Sequence, residues 1–178
     1  MEKWIMSVFL LLIGSLGMQA GEKSCFDNGW LFILGDDAKM SSERYQDSNW
    51  RKLDLPHDWA IEGDFSDSNP SGAGGGALPG GIGWYRKHFT MSDLPGQGKS
   101  AYYFIDFDGV YMNSTVYLNG HELGNRPYGF SSFRYDLTPF LNRTGDNVLA
   151  VKVDNSDQPN SRWYSGCGIY RHVWVVGT

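Results

Sequence analysis

The chain has 178 residues, which leaves room for one ordinary domain with a short appendage but not for a second, catalytic domain. Hydrophobic residues make up 41% of it and aromatic residues 15%, so the composition argues against a chain that is mostly disordered. A net charge of −5 with scattered Lys and Arg argues against nucleic acid and anionic membrane surfaces as partners, since both require basic patches.

Residues 1–20 differ in character from the rest of the chain. Lys3 precedes an apolar run over residues 8–13, and small or polar residues follow up to Ala20 and Gly21. This pattern predicts a secretory signal peptide over residues 1–20, cleaved after Ala20 and too short to span a bilayer. We expect a mature domain over residues 21–178, exported to the periplasm or the extracellular space, with no membrane span after signal removal. A buried first strand and lipoprotein processing at Cys25 are the alternatives.

Beyond the signal, apolar residues alternate with a period of two, which is typical of β-strands. Six runs are predicted as strands, in chain order Trp30 to Leu34, Trp84 to Met91, Ala101 to Phe107, Asn113 to Leu118, Val148 to Val153 and Ile169 to Val176. The last run is apolar or aromatic on both faces, so we expect it in the centre of a sheet. Because the turns are Gly-rich and crossover helices are missing, the pattern predicts an all-β fold, an antiparallel β-sandwich.

The connections carry turn signals of their own. Asn119 and Gly120 predict a type I′ hairpin, because both residues tolerate positive φ. Residues 136–141 predict a single helical turn that is entered through Thr138, with Pro139 at its first position. The segment from Gly63 to Gly83 is too rich in Gly and Pro to form a strand or a helix. A loop of this length is either functional or an idle surface insertion.

The sequence lacks the residue patterns that several kinds of chemistry require. The four histidines lie far apart, which argues against a structural zinc site. The sequence has no Gly-x-Ser-x-Gly elbow and no obvious carboxylate pair for glycoside hydrolysis. We therefore predict no catalytic residue, metal or cofactor, and we keep a light cation near Asp154 to Asp157 as an open possibility. Cys25 and Cys167 could pair in an oxidising compartment or stay free.

The connection that follows the fifth run contains the residue types that bind sugars. A sugar ring has an apolar C–H face that stacks on aromatic side chains, and hydroxyls that need amide, carboxylate or guanidinium partners. Within eleven residues this segment holds Asp154, Asn155, Arg162, Trp163 and Tyr164. The same composition also fits an ordinary polar loop whose Trp163 caps the core.

A series of short motifs runs along the chain in a fixed order. The motifs are Phe-Asp-Asn-Gly-Trp at 26–30, Leu-Pro-His-Asp-Trp at 55–59, Gly-Trp-Tyr-Arg-Lys at 83–87, Phe-Asp-Gly-Val at 107–110, Val-Tyr-Leu-Asn-Gly at 116–120, Gly-Phe at 129–130 with Phe133, and the segment 147–171. This series resembles the N-terminal sugar-binding domain of glycoside hydrolase family 2, in particular that of its β-galactosidases. The resemblance covers nearly the whole mature chain.

The resemblance implies a jelly-roll β-sandwich that is followed, in full-length members, by an immunoglobulin-like domain and a barrel with two catalytic glutamates. The chain stops at Thr178 without the barrel signatures, so we expect a truncated protein or a fragment. The resemblance also implies that Asp154 and Asn155 meet sugar hydroxyls, directly or through water. Arg162 would position the loop or meet a partner domain, and Trp163 or Tyr164 would supply a stacking face.

The sequence thus predicts the sugar-binding domain of an exported β-glycosidase similar to β-galactosidases, with hydrolysis carried out by other domains of the full-length enzyme. The expected partners are a carbohydrate and the downstream immunoglobulin-like and barrel domains. A free-standing carbohydrate-binding module or lectin, and a domain that only docks against a partner, are the two alternatives. An exposed apolar patch is expected where another domain would be met. The group from His57 to Trp59 is expected to fix a strand end rather than to touch a ligand.

Overall fold

The computed structural model describes residues 21–178, in which ten β-strands are joined by turns and short 3₁₀ helices. The signal peptide predicted over residues 1–20 lies outside the described residues. The strands are β1 (Glu22–Cys25), β2 (Trp30–Leu34), β3 (Arg51–Leu53), β4 (Gly81–Phe89), β5 (Tyr103–Phe107), β6 (Ser114–Leu118), β7 (His121–Arg126), β8 (Phe133–Asp136), β9 (Asn147–Asn155) and β10 (Val173–Gly177). The 3₁₀ helices span Ala38–Ser41, Ala60–Glu62, Ala73–Gly75, Met91–Asp93, Pro95–Gly98 and Thr138–Phe140. In this part of the chain no helix has the length and apolar character needed to cross a membrane.

The ten strands form two antiparallel sheets. The smaller sheet has the order β1-β10-β5-β8, and the larger has the order β3-β2-β4-β9-β6-β7. Side chains from both sheets, among them Ile105, Val151 and Val175, belong to one buried hydrophobic cluster. The predicted all-β, antiparallel jelly-roll sandwich is therefore confirmed.

The period-two alternation decides which side chains fill this core. In β5, Tyr103, Ile105 and Phe107 are fully buried, whereas Phe104 and Asp106 face outward. Removing each large apolar side chain from water contributes about 1.5–3 kcal/mol. Strand β9 lies inside the larger sheet, where it pairs with β4 on one side and with β6 on the other.

All six predicted runs contain strands, and β10 lies inside the smaller sheet between β1 and β5, as expected. The run predicted from Ile169 begins instead at Val173. Its first part forms a bend, since Gly168 has a φ of +118° and makes an isolated bridge to Tyr111. Ile169 is buried and Tyr170 is half-buried, so the apolar types at the start of the run resemble a strand although no strand forms there.

The predicted hairpin between β6 and β7 is confirmed, with φ values of +51° at Asn119 and +83° at Gly120. The single helical turn is present at Thr138–Phe140, but Thr138 is not its cap. Its hydroxyl accepts from the Tyr103 amide at 2.9 Å instead, while the Asp136 carboxylate accepts from the Thr138 amide at 2.9 Å. Leu137 therefore stands in the capping position, and the Asp136 carboxylate binds the first amide of the turn.

The Gly-rich segment from Gly63 to Gly83 is not wholly irregular. It contains the 3₁₀ turn Ala73–Gly75, and its last three residues belong to β4. At Gly83 a Cβ atom would lie 2.8 Å from the Trp59 ring and 2.9 Å from the Phe32 ring. Glycine is required there because two aromatic rings pack against the backbone, and its missing side chain hides the strand from a periodicity argument.

A buried arginine fixes the connection between β2 and β3 to the outer face of the larger sheet. The Arg86 side chain on β4 is fully buried, and its Nε donates to Asp47 Oδ2 at 2.6 Å. Its Nη1 donates to the carbonyls of Met40 and Ser42 at 2.6 and 2.8 Å. His88 lies on the other side of the same Asp47 carboxylate, with 2.7 Å between Nε2 and Oδ2. This network holds in place a segment that has little regular structure of its own.

Candidate functional site

The predicted site residues lie at the end of β9 and in the loop 156–165 that follows it, which we call the site loop. The site loop packs against the irregular segment before β4. The two enclose a small cavity of about 20 Å³ that is lined by Ser71, Leu78, Asn155, Tyr164 and Cys167 among others. A cavity of this size with polar walls has room for about one water molecule. The space beneath the site loop is therefore too small for a sugar, and any ligand would have to bind on its outer surface.

Asn155 anchors the base of the site loop. Its side chain is buried, and its Nδ2 donates to Gly166 O at 3.2 Å and contacts Cys167 Sγ at 2.8 Å. Its Oδ1 accepts from Gln158 Nε2 at 2.9 Å and from Asn160 Nδ2 at 2.7 Å. An amide has two donor hydrogens and one carbonyl oxygen, so these contacts use its capacity within the protein. These contacts favour a role in holding the loop, and a direct contact with sugar hydroxyls stays a prediction.

Asp154 lies on the opposite face of β9 from Asn155, because neighbouring side chains of a strand point to opposite faces. Its Oδ1 accepts from the Ser156 amide at 3.1 Å and from the Ser156 hydroxyl at 2.6 Å. The structure therefore separates the two residues that were predicted to act together. Asp154 keeps a partly exposed carboxylate that could meet a hydroxyl.

Arg162, Trp163 and Tyr164 are all exposed at the far end of the site loop. Trp163 is 65% exposed and Tyr164 is 41% exposed. The Tyr164 hydroxyl donates to Asp58 Oδ2. Burial, followed by the hydrogen bond to Asp58, raises the pKa of Tyr164 well above its usual range, so this hydroxyl stays protonated. The three side chains thus all lie on the surface, and their contact with a sugar stays a prediction.

The Asp58 carboxylate ties the site loop to the rest of the domain, and we call its contacts the Asp58 clamp. Residue type and spacing alone did not predict this role. Besides Tyr164, its carboxylate accepts from the Ala60 amide at 3.0 Å and from the Cys167 amide at 2.9 Å. The backbone amides of His57 and Trp59 bond to the carbonyls of Ile169 and Cys167 at 2.9 and 3.1 Å. The group from His57 to Trp59 joins two distant chain segments, which agrees with its predicted structural role.

His57 is held neutral inside the fold. Its Nε2 lies 2.7 Å from Arg51 Nη2 and its Nδ1 lies 2.7 Å from the Tyr85 hydroxyl. A guanidinium can only donate, so Nε2 accepts and the proton is assigned to Nδ1. Burial lowers the pKa of His57 below its ordinary value. The ring therefore serves as a structural hydrogen-bonding group near the base of the site.

The carboxylates near the site are used within the fold. Asp58 binds backbone amides and Tyr164, and Asp154 binds Ser156. Within residues 21–178, no three His, Cys, Asp or Glu side chains converge as a metal site would require. The light cation near Asp154 to Asp157 stays a prediction.

The two cysteines are unpaired in the described part of the chain, so the disulfide alternative is not realised. Cys25 is exposed on the edge strand β1, whereas Cys167 is buried against Asn155. Burial raises the pKa of the Cys167 thiol to about 12 from an ordinary 9.0. Cys167 is therefore a packed, unreactive side chain under the site loop.

We expect iodoacetamide at about pH 8 to modify the exposed Cys25 and to leave Cys167 intact in the folded chain, because burial shields the Cys167 thiol and opposes formation of its reactive thiolate. Peptide mass spectrometry should find one modified cysteine in native protein and two after denaturation in urea. If neither cysteine is modified in urea until a reductant is added, the two cysteines form a disulfide.

A family model described as "Glycosyl hydrolase 2 galactose-binding domain-like" matches residues 83–165. This range runs from the third residue of β4 through β9 to the end of the site loop, so the matched part includes every predicted site residue.

Curated relatives with similar sequences are glycosidases. A β-galactosidase of Bacteroides ovatus is 62% identical over 157 residues, which is 88% of this chain and 18% of the relative. A β-glucuronidase of Formosa agariphila is 33% identical over 163 residues, or 84% of this chain and 16% of the relative. The chain thus spans less than a fifth of the length of these relatives.

Solved structures of glycosidases contain a domain with the same fold. A β-glycosidase of Bacteroides vulgatus superposes with a TM-score of 0.82 at 50% identity, covering 88% of this chain and 20% of that structure. A β-glucuronidase of Bacteroides uniformis superposes with a TM-score of 0.74 at 28% identity, covering 88% and 18%. The matching part is a single domain of much longer proteins.

Proposed function

We propose, on the premise that this chain belongs to glycoside hydrolase family 2 as its galactose-binding-like N-terminal domain, that it binds a sugar on the outer end of the site loop. The enzyme served would be an exported β-glycosidase of the β-galactosidase type. Hydrolysis would be carried out by the longer enzyme, whose immunoglobulin-like and barrel domains would be the partners of this domain. The length of the relatives supports this division, since the chain covers 18% of one and 20% of another.

The observation that carries the proposal is an exposed Trp163 on a firmly anchored loop. The loop is held at its base by the four contacts of Asn155 and at its far end by the Asp58 clamp. A large aromatic ring left in water by a rigid support is suited to stacking against the C–H face of a sugar, because little conformational entropy is lost on binding. Arg162 and the Asp154 carboxylate would supply polar partners.

Two sugar types fit the relatives, which include both β-galactosidases and β-glucuronidases. The two sugars differ in charge, because glucuronic acid carries a carboxylate and galactose does not. The exposed Arg162 guanidinium could form a bidentate pair with such a carboxylate. An Arg162→Gln exchange that weakens glucuronic acid but not galactose would identify the acid as the ligand.

Replacing Trp163 with Ala is expected to weaken sugar binding about tenfold, since the stacking surface is lost while the anchors of the loop remain. NMR titration of the purified chain with galactose and with glucuronic acid measures the effect. Phe140→Ala is the matched control, because Phe140 is a partly exposed aromatic residue that stacks on His121 away from the site loop.

Equal affinity of the Trp163→Ala variant and the unaltered chain would contradict the proposal. If neither sugar binds, and Trp163 instead becomes protected when the downstream domains are present, the docking alternative is the better account.

A further inference from the structure

A second aromatic surface lies beside the site loop, on the connection between β7 and β8. Tyr128 is 62% exposed and Phe130 is 52% exposed. The Phe130 ring lies 5.1 Å from the ring of the buried Tyr111 and 5.7 Å from that of Tyr128, at interplanar angles of 59° and 67°. The exposed Phe130 ring therefore packs on a ring that belongs to the core, and the exposed Tyr128 ring packs on Phe130.

This surface is fixed in shape. A Cβ atom at Gly129 would lie 2.3 Å from the Tyr111 ring, so the backbone packs flat on that ring and only glycine fits. The Tyr170 hydroxyl donates to Gly129 O at 2.8 Å, and the Asn113 amide donates to Pro127 O at 3.1 Å. Anchored aromatic rings lose little freedom when a ligand stacks on them, which favours binding.

The surface is also rich in hydroxyl groups. Tyr111 donates its phenol hydrogen to Asn160 Oδ1 at 3.2 Å, and Tyr170 donates to Gly129 O. Tyr111 is buried, but the half-buried Tyr170 and the exposed Tyr128 keep phenol oxygens that can accept from a ligand. The phenols of Tyr128 and Tyr111 lie close enough to Tyr170 to add to the rise that burial causes in its pKa. Stacking faces next to hydroxyl acceptors match a sugar better than the apolar core of a protein interface.

Asn160 connects this surface to the site loop. Its Oδ1 accepts from Tyr111, and its Nδ2 donates to Asn155 Oδ1 at 2.7 Å. Asn160 precedes Trp163 by three residues, which limits their Cα atoms to a separation of at most about 11 Å. The hydrogen bond from Tyr111, on which Phe130 packs, to Asn160 of the site loop thus links the two aromatic surfaces.

We propose that Tyr128 and Phe130 form an additional subsite, so that the domain takes an oligosaccharide whose further units extend from Trp163 across Asn160 to Phe130. This inference rests on the proposed function, since it extends the site at Trp163. The ligand class is a chain of pyranose units rather than a single sugar.

The test compares galactose with β-1,4-linked galactose oligomers of two to four units on the purified chain, by NMR titration. We expect affinity to rise about tenfold from the monomer to the longer oligomers. Phe130→Ala should abolish this rise while leaving galactose binding unchanged, and Phe130→Tyr should restore it. Trp163→Ala should weaken the binding of galactose and of its oligomers to the same extent. Unchanged thermal unfolding would show that each variant is folded.

The possible failures are distinguishable. A gain with length that survives Phe130→Ala overturns the subsite and leaves the proposed function intact. The absence of any binding, of galactose or of its oligomers, overturns both. If Phe130→Ala changes only the sedimentation of the chain, from dimer to monomer, the surface is a contact between copies and the subsite is wrong.

Discussion

Exchange of Arg86 for Met is expected to lower the free energy of unfolding by about 3–5 kcal/mol. The guanidinium is fully buried and bonds to Asp47 and to two backbone carbonyls. Its removal leaves a carboxylate and two carbonyls in a site from which water is excluded, and that cost is larger than the net value of the pair itself. Urea unfolding monitored by tryptophan fluorescence measures the loss.

Arg134 provides the matched control. It binds Asp106 through two nitrogens at 2.5 and 2.7 Å, but its side chain is about half exposed. An exposed ion pair contributes about 0–1 kcal/mol, so Arg134→Met should unfold close to the unaltered chain. Equal losses of unfolding free energy in the two variants would show that burial does not account for the contribution of Arg86 to stability.

The same pair predicts a dependence on pH. Burial alone would raise the pKa of Asp47, but hydrogen bonds from His88 and Arg86 outweigh it and bring the pKa below its ordinary value. A lowered pKa in the folded state means that ionised Asp47 contributes stability above its unfolded pKa of about 3.9, and that this contribution is lost as pH falls through the folded value. The Arg86→Met variant should therefore lose less stability on acidification than the unaltered chain.

Exchange of Asn155 for Ala is expected to cost about 1–3 kcal/mol of stability and to weaken sugar binding at the same time. The change leaves the amides of Gln158 and Asn160 without their shared acceptor, so the site loop loses the support on which Trp163 depends. Thermal unfolding and galactose titration of one preparation measure both effects. Asp154→Asn is the matched control, because its side chain is partly exposed and its loss should change stability by less than about 0.5 kcal/mol.

The pair of variants separates two roles for these neighbours. If Asn155 holds the loop, its loss lowers stability and affinity together, whereas Asp154→Asn lowers affinity alone if that carboxylate meets a sugar hydroxyl. Full stability of Asn155→Ala combined with lost binding would show instead that Asn155 touches the sugar.

The sandwich could be predicted because its inward positions alternate so regularly. β5 and β6 show buried residues at every second position, and the Asn119-Gly120 turn requires positive φ. The strand ends could not be predicted in the same way. Asn113 has a φ of +46°, and β6 starts one residue after it, while β4 begins at glycines that have no side chain to show a period.

Residue types were enough to indicate which residues lie in the candidate site. They did not indicate which residues are free to bind a ligand and which support the loop. Trp163 and Tyr164 are exposed together as the composition suggested. The clamp by Asp58 joins positions separated by 106 and 109 residues, a distance along the chain that no local pattern encodes. Asn155 looked like a ligand residue because an amide suits a sugar, yet the structure surrounds that amide with protein partners. Only the three-dimensional contacts distinguish a group that binds from one that supports.

The place of β10 within the smaller sheet has a consequence for folding. β10 is the last strand along the described chain, but it lies between β1 and β5, so β1 is not joined to the β5-β8 pair until residues 173–177 arrive. Contacts that span most of the chain give a high contact order, and such topologies close slowly. The smaller sheet therefore cannot close during synthesis until these last strand residues have been made, and the edge of β5 stays open until then.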